Sequence, residues 1–134
     1  MKIKKLLLGL LFCIFLGSLF GCGDYAVSLP GGYSLVRIYG GAILISHSSK
    51  GVVINANIDS YKVLDELIVG HVTVAELPPE KDYSKPGYFI INTKTHEVGE
   101  GLDRMAWLEA LRKINIVTEP KLSKPSRFDK DYLK

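Results

Sequence analysis

Few side chains in this 134-residue chain can do covalent or acid–base chemistry: two cysteines, three histidines and scattered carboxylates. Cys22 directly follows Gly21 at the end of an almost purely apolar run, Leu6 to Phe20, which is preceded by Lys2, Lys4 and Lys5. A basic start, an apolar middle and a small residue before a cut form the three-part secretory pattern, which puts the expected cut beside Gly21 and Cys22. The apolar run is shorter than the ~20 residues a helix needs to cross the hydrocarbon layer, and an export signal is expected over a permanent span.

The other groups form no reactive set. His47, His71 and His96 are far apart in sequence, and none has a His, Cys or carboxylate at a metal-ligand spacing, so no metal and no cofactor is expected. His47 and His96 read as turn residues and His71 as part of a solvated face. Ser46-His47-Ser48 lacks the Gly-x-Ser-x-Gly elbow of a nucleophile and reads as a polar turn. On a strand the adjacent Asp65 and Glu66 point to opposite faces and cannot share one acid–base task. Glu100 and Asp103 lie near a helix start, where negative charge favours the helix dipole. Gly31-Gly32 and Gly40-Gly41 carry none of the flanking residues of a phosphate cradle and read as turns.

Length allows one domain of the usual ~100–150 residues. The net charge of +3 is accounted for by Lys2, Lys4 and Lys5, so the chain from Cys22 onward is neutral. A neutral domain offers no field for a polyphosphate backbone, and nucleic acid is not an expected partner. With Cys13 in the leader, Cys22 has no partner cysteine in the rest of the chain, so no internal disulfide is expected and the fold must rest on core burial.

Leu19-Phe20-Gly21-Cys22 resembles the lipobox of bacterial lipoproteins, with Leu19 three places before the cysteine and Gly21 directly before it; Phe20 is bulkier than the residue usual there. The resemblance implies that Cys22 receives a diacylglycerol on sulfur, that a peptidase cuts between Gly21 and Cys22, and that in many bacteria the new amine is acylated. Each buried methylene adds about 0.8 kcal/mol, so two or three chains hold where one is marginal. In two-membrane bacteria an Asp directly after the cysteine commonly signals inner-membrane retention. Here Gly23 occupies that place and Asp24 follows, which favours the outer membrane in such a host. In a one-membrane host the domain faces outward from the cytoplasmic membrane.

These residues divide the chain into a removed leader (1–21), a lipidated N-terminus and tether with an entry strand (22–32), one α+β domain (33–118) and a charged, disordered tail (119–134). Tyr33–Tyr39 and Ala42–Ser46 are rich in β-branched and aromatic residues, and Gly40-Gly41 between them predicts a hairpin with a tight primed turn. The alternation from Val52 to Ile58 predicts a third, half-buried strand. Tyr61–Glu66 is ambiguous. Leu67–Ala75 predicts a strand with Ile68, Gly70, Val72 and Val74 on one face, and Leu77–Gly87 an exposed loop. Tyr88–Asn92 and His96–Val98 flank Thr93-Lys94-Thr95 as a further hairpin. Asp103 is an N-cap for a helix over Arg104–Ile114, with Trp107, Leu108, Leu111 and Ile114 on one arc. Asn115 stops it, and Ile116–Thr118 forms a last short strand. The expected fold is one small antiparallel sheet of about five to six hairpin-connected strands with one C-terminal helix packed on it.

The stretch Leu29 to Arg37, the stretch Tyr88 to Lys94 and the Trp107-Leu108 helix together resemble a family of small uncharacterised bacterial lipoproteins. That resemblance implies no activity. The functional expectation is a non-enzymatic, membrane-anchored binding or accessory module of the cell envelope, whose partners are lipid through Cys22 and an envelope protein. Two alternatives stay open: a small envelope hydrolase whose site forms only in three dimensions, and an inhibitor or immunity-type lipoprotein. Tyr83, in the charged loop, is the candidate interaction residue, because tyrosine gives large contact area at low entropic cost.

Overall fold

The computed structural model describes residues 24–38, 40–55, 57–73 and 84–133. Gly21, Cys22, Tyr83, Val74 and most of the charged loop therefore lie outside the described residues. Strands β1 (Tyr25–Ser28), β2 (Tyr33–Arg37), β3 (Ile43–His47) and β4 (Gly51–Ile54) form one antiparallel sheet in that order. Strands β5 (Ile58–Leu64), β6 (Leu67–Val72), β7 (Gly87–Asn92) and β8 (Val98–Leu102) form a second, and helix α1 (Arg104–Lys113) follows. The class is α+β as expected, but two four-stranded sheets replace the single sheet of five to six strands.

The difference arises at residues 52–58. Apolar alternation runs through this stretch as though it were one strand, yet the chain leaves the first sheet after Ile54 and enters the second at Ile58. β4 also carries an extra residue opposite Ile45/Ser46, which leaves Val52 half exposed while Ile54 is buried. The ambiguous Tyr61–Glu66 stretch completes β5 as far as Leu64 and turns at Asp65, whose φ is 48°.

The pleat of each strand sorts its side chains between layers. Val27, Leu29, Tyr33, Leu35, Ile45 and Ile54 of the first sheet meet Ile58, Tyr61, Ile68, Val72, Phe89 and Ile91 of the second. The opposite face of the second sheet carries Val69, Tyr88 and Ile90 and is covered by Trp107 and Leu111 of α1. The layers are therefore sheet, sheet, helix. Gly70 lies on the inter-sheet face, where a Cβ would stand 2.6 Å from the Phe89 ring.

Local chemistry sets the connections. The β2–β3 hairpin closes through Gly41 N donating to Ile38 O (3.0 Å) and Ile38 N to Ala42 O (3.0 Å), with Gly40 and Gly41 both at positive φ. It is longer than the expected two-residue turn. Asp103 caps α1 by accepting from Ala106 N at 2.8 Å, and Asn115 ends it at φ 67°. Trp107 and Leu111 are buried as expected, whereas Ile114, past the last helical turn, is exposed.

After α1 the chain does not form the short strand expected over Ile116–Thr118. It returns along the open side of the two sheets. Arg104 Nε donates to Glu119 at 3.0 Å, and this bond holds the Glu119 carboxyl below its ordinary pKa. Ser123 exchanges both backbone bonds with Tyr61 on the edge strand β5 (3.0 and 3.1 Å). The Tyr61 hydroxyl donates to Asp129 at 2.6 Å, and Tyr132 N donates to Ser28 O on the other edge strand, β1, at 3.0 Å. The expectation of a disordered tail over 119–134 is thus corrected for residues 119–133, which cover two sheet edges.

Candidate functional site

One end of the molecule gathers four turns. Pro30–Gly32 forms a single 3-10 turn in which Gly31 sits at φ 72°, a conformation glycine adopts without a Cβ penalty. A Cβ at Gly31 would stand 2.7 Å from Thr93, so the turn of the first sheet seats directly on the β7–β8 turn of the second. Thr93 in turn donates from its backbone N and its Oγ1 to Glu66 O, each at 2.8 Å, which ties in the β5–β6 turn. Ser48 N donates to Gly32 O at 3.0 Å and adds the β3–β4 turn.

Two of the three histidines meet here. His47 ends β3 opposite Tyr33 on β2, and the Asn92 carboxamide shapes the β7–β8 turn by accepting from Lys94 N (3.0 Å) and Thr95 N (3.1 Å). That turn delivers His96, at φ 61°, over the same spot. The His47 and His96 ring centroids are 5.0 Å apart, and Tyr33 lies 4.7 Å from His47. The Tyr33 hydroxyl and His96 Nδ1 are hydrogen-bonded at 2.8 Å. His96 lies in the β7–β8 connection as expected, whereas His47 is the last residue of strand β3 and not part of a turn; their convergence does not follow from the sequence.

Hydrogen bonding assigns the state of His47. Ser49 N is an obligate donor and points at Nδ1 at 3.1 Å, so Nδ1 carries no proton. Nε2 then carries it and donates to Gly31 O at 3.1 Å. Ser49 Oγ is also 3.1 Å from Nδ1, but the single lone pair there is already engaged by the backbone, which blunts its capacity as a base. His47 is buried and holds turns together. His96 is half-buried, and desolvation first, then the Lys50 charge, lowers its pKa below the ordinary value. Burial raises that of Tyr33. Both partners of the Tyr33–His96 bond are therefore neutral at neutral pH.

Beside this cluster an open cleft of about 760 Å³ is rimmed by Leu64, Asp65, Glu66, Leu67, Asn92, Ile114 and Ile116. Asp65 and Glu66 share it, but no histidine reaches it, and Glu66 is paired with Lys94 at 2.6 Å.

His71 lies elsewhere, on the helix-covered face of the second sheet. Its Nδ1 is 3.1 Å from both carboxylate oxygens of Asp59, and its ring stands edge-on to Tyr88 at 4.6 Å. Tyr88 stacks on Trp107 at 4.5 Å, and the indole Nε1 donates to Phe89 O at 3.2 Å. His71 is half-buried beside Tyr88 on this covered face, not on the solvated face expected of it; its pairing with Asp59, twelve positions earlier, lies next to the bulge in β5 between Ile58 and Ser60. Tyr33, Ser49 and Asp59 are the participants that sequence reasoning misses, and an alternating strand pattern carries no signal for them. Among the described residues no group of three His, Cys, Asp or Glu side chains could hold a metal ion, and no helix is long and apolar enough to cross a membrane. Comparisons of the chain with protein-family models, with curated proteins and with solved structures find no match.

Proposed function

We propose that this chain is an exported lipoprotein, held at a membrane by acyl chains on Cys22, and that its folded part is a non-enzymatic binding module of the cell envelope. The observation that carries the proposal is the junction itself. A leader ending in Leu19-Phe20-Gly21-Cys22 runs within three residues into Tyr25, the first residue of β1. Support for binding over catalysis comes from His47, whose two ring nitrogens are both engaged in holding turns. The turn end, with the partly exposed His96 and the neighbouring cleft, is the surface offered to an envelope component.

Fatty-acid labelling and detergent-phase partition of the wild type and of Cys22→Ser test the anchor. The wild type is expected to label and enter the detergent phase, and the variant to do neither. Equal labelling of the two would overturn the assignment.

The Asp59–His71 pair favours a second reading, a small envelope hydrolase in which His71 acts as general base and Asp59 orients it. A screen of ester, amide and glycoside substrates decides this. Turnover abolished by His71→Gln supports the hydrolase, and no turnover by the membrane-extracted protein removes it.

A further inference from the structure

The acyl anchor proposed for Cys22 has a geometric consequence that fixes which end of the molecule touches the bilayer. Cys22 and Tyr25 are separated only by Gly23 and Asp24, and three residue steps reach about 10 Å at full extension. The start of β1 must then sit within that distance of the lipid headgroups. Tyr25 is paired with Arg37 and stands at the same end as the β2–β3 hairpin, opposite the end where Tyr33 is paired with His47.

Side chains at this end suit a lipid surface. Phe128 is 89% exposed and Ile38 42%, and both lie beside cations. Arg37 adjoins Ile38, Arg127 adjoins Phe128, and both guanidinium charges act on the Tyr25 hydroxyl, which places both arginines in its neighbourhood. The Asp129 carboxylate also faces Tyr25 but is engaged by the Tyr61 hydroxyl and by Ser126 N at 2.9 Å. Asp24, directly before Tyr25, is an exposed acid at this end. Apolar tips next to arginines, with a tyrosine nearby, match the headgroup boundary, where aromatic rings settle and cationic side chains reach phosphate.

We infer that Tyr25, Arg37, Ile38, Arg127 and Phe128 form a membrane-seating surface that lies on the bilayer, with Phe128 and Ile38 entering its headgroup region, so that the Tyr33–His47–His96 end faces away. This rests on the acylation of Cys22. The occupant is a lipid bilayer, because the chain leaves the folded part at this end toward the acylated residue.

The test uses the full lipidated protein in vesicles of phosphatidylethanolamine and phosphatidylglycerol, with the variants Phe128→Cys, Ile38→Cys and, as a control at the opposite end, Val117→Cys, which is 79% exposed. Each thiol is labelled with an environment-sensitive fluorophore, and doxyl-labelled phosphatidylcholine is the quencher. Several-fold stronger quenching at 128 and 38 than at 117 is expected. Equal quenching at all three positions in fatty-acid-labelled protein would overturn the orientation and leave the anchor intact. A blue-shifted probe at 128 that resists the lipid quencher would overturn it in favour of a protein occupant. Absence of fatty acid from Cys22 would overturn the anchoring itself and the orientation with it. Native-like Trp107 fluorescence establishes that each variant is folded.

Discussion

The two ends of the first sheet are built on opposite principles. At the Tyr33–His47 end four turns interlock through Gly31, Ser48, Thr93 and Glu66, and the polar side chains there are partnered across both sheets. At the Tyr25–Arg37 end Ile38 and Phe128 project from the surface, and little of the core depends on them. The contrast teaches that the first end is part of what keeps the sheets together, while the second is free to be shaped by whatever it rests on. A lipid-anchored module needs that division, with one end seated and the other rigid enough to present a defined surface.

Substitution can break the contrast if it is wrong. Tyr33→Ala removes a buried ring from the inter-sheet core and is expected to cost roughly 3–5 kcal/mol, read as a lower urea midpoint at unchanged slope. Gly31→Ala forces a Cβ against Thr93 at positive φ and should cost about 1–3 kcal/mol by the same measurement. Tyr33→Phe keeps the ring and deletes only the bond to His96, for about 1 kcal/mol. At the other end, Ile38→Ser and Phe128→Ser should each stay within about 0.5 kcal/mol of the wild type. A cost at Ile38 or Phe128 matching that of Tyr33→Ala would erase the distinction.

Acidity sharpens the same contrast. The His96 pKa is lowered in the folded state, so the unfolded chain binds the proton more readily. The associated stability is complete above the unfolded histidine value of about 6.5 and is lost as pH falls through the lower folded value. His96 faces solvent in part, so the loss is small. NMR titration should show its ring protonating below the ordinary histidine value; a midpoint at or above that value would contradict the desolvated Tyr33–His96 pair.

What could be read from sequence alone follows from the range of the interactions involved. The Gly40-Gly41 hairpin, the Asp103 cap, the Asn115 stop and the turn over Thr93–Thr95 are local, and each is legible from a few adjacent residues. The division into two sheets is not, because Val52–Ile58 alternates without interruption, and only pairing partners distant in sequence reveal that the chain changes sheets there. The returning segment is hidden for a related reason. Its proline and charge content looks like that of a solvated tail, yet Pro120 and Leu122 pack inward and Asp129 finds Tyr61, 68 positions away. Tyr33 and His96 are 63 positions apart, so the candidate site was legible only as separate turn and strand residues.

The central claim is that the mature chain begins at an acylated Cys22 and enters β1 three residues later. The intact mass of the protein extracted from membranes tests it most directly. The predicted mass is that of residues 22–134 plus a diacylglyceryl group, with or without an amide-linked acyl chain. A mass corresponding to an uncut N-terminus, or to an unmodified Cys22 thiol, would contradict it.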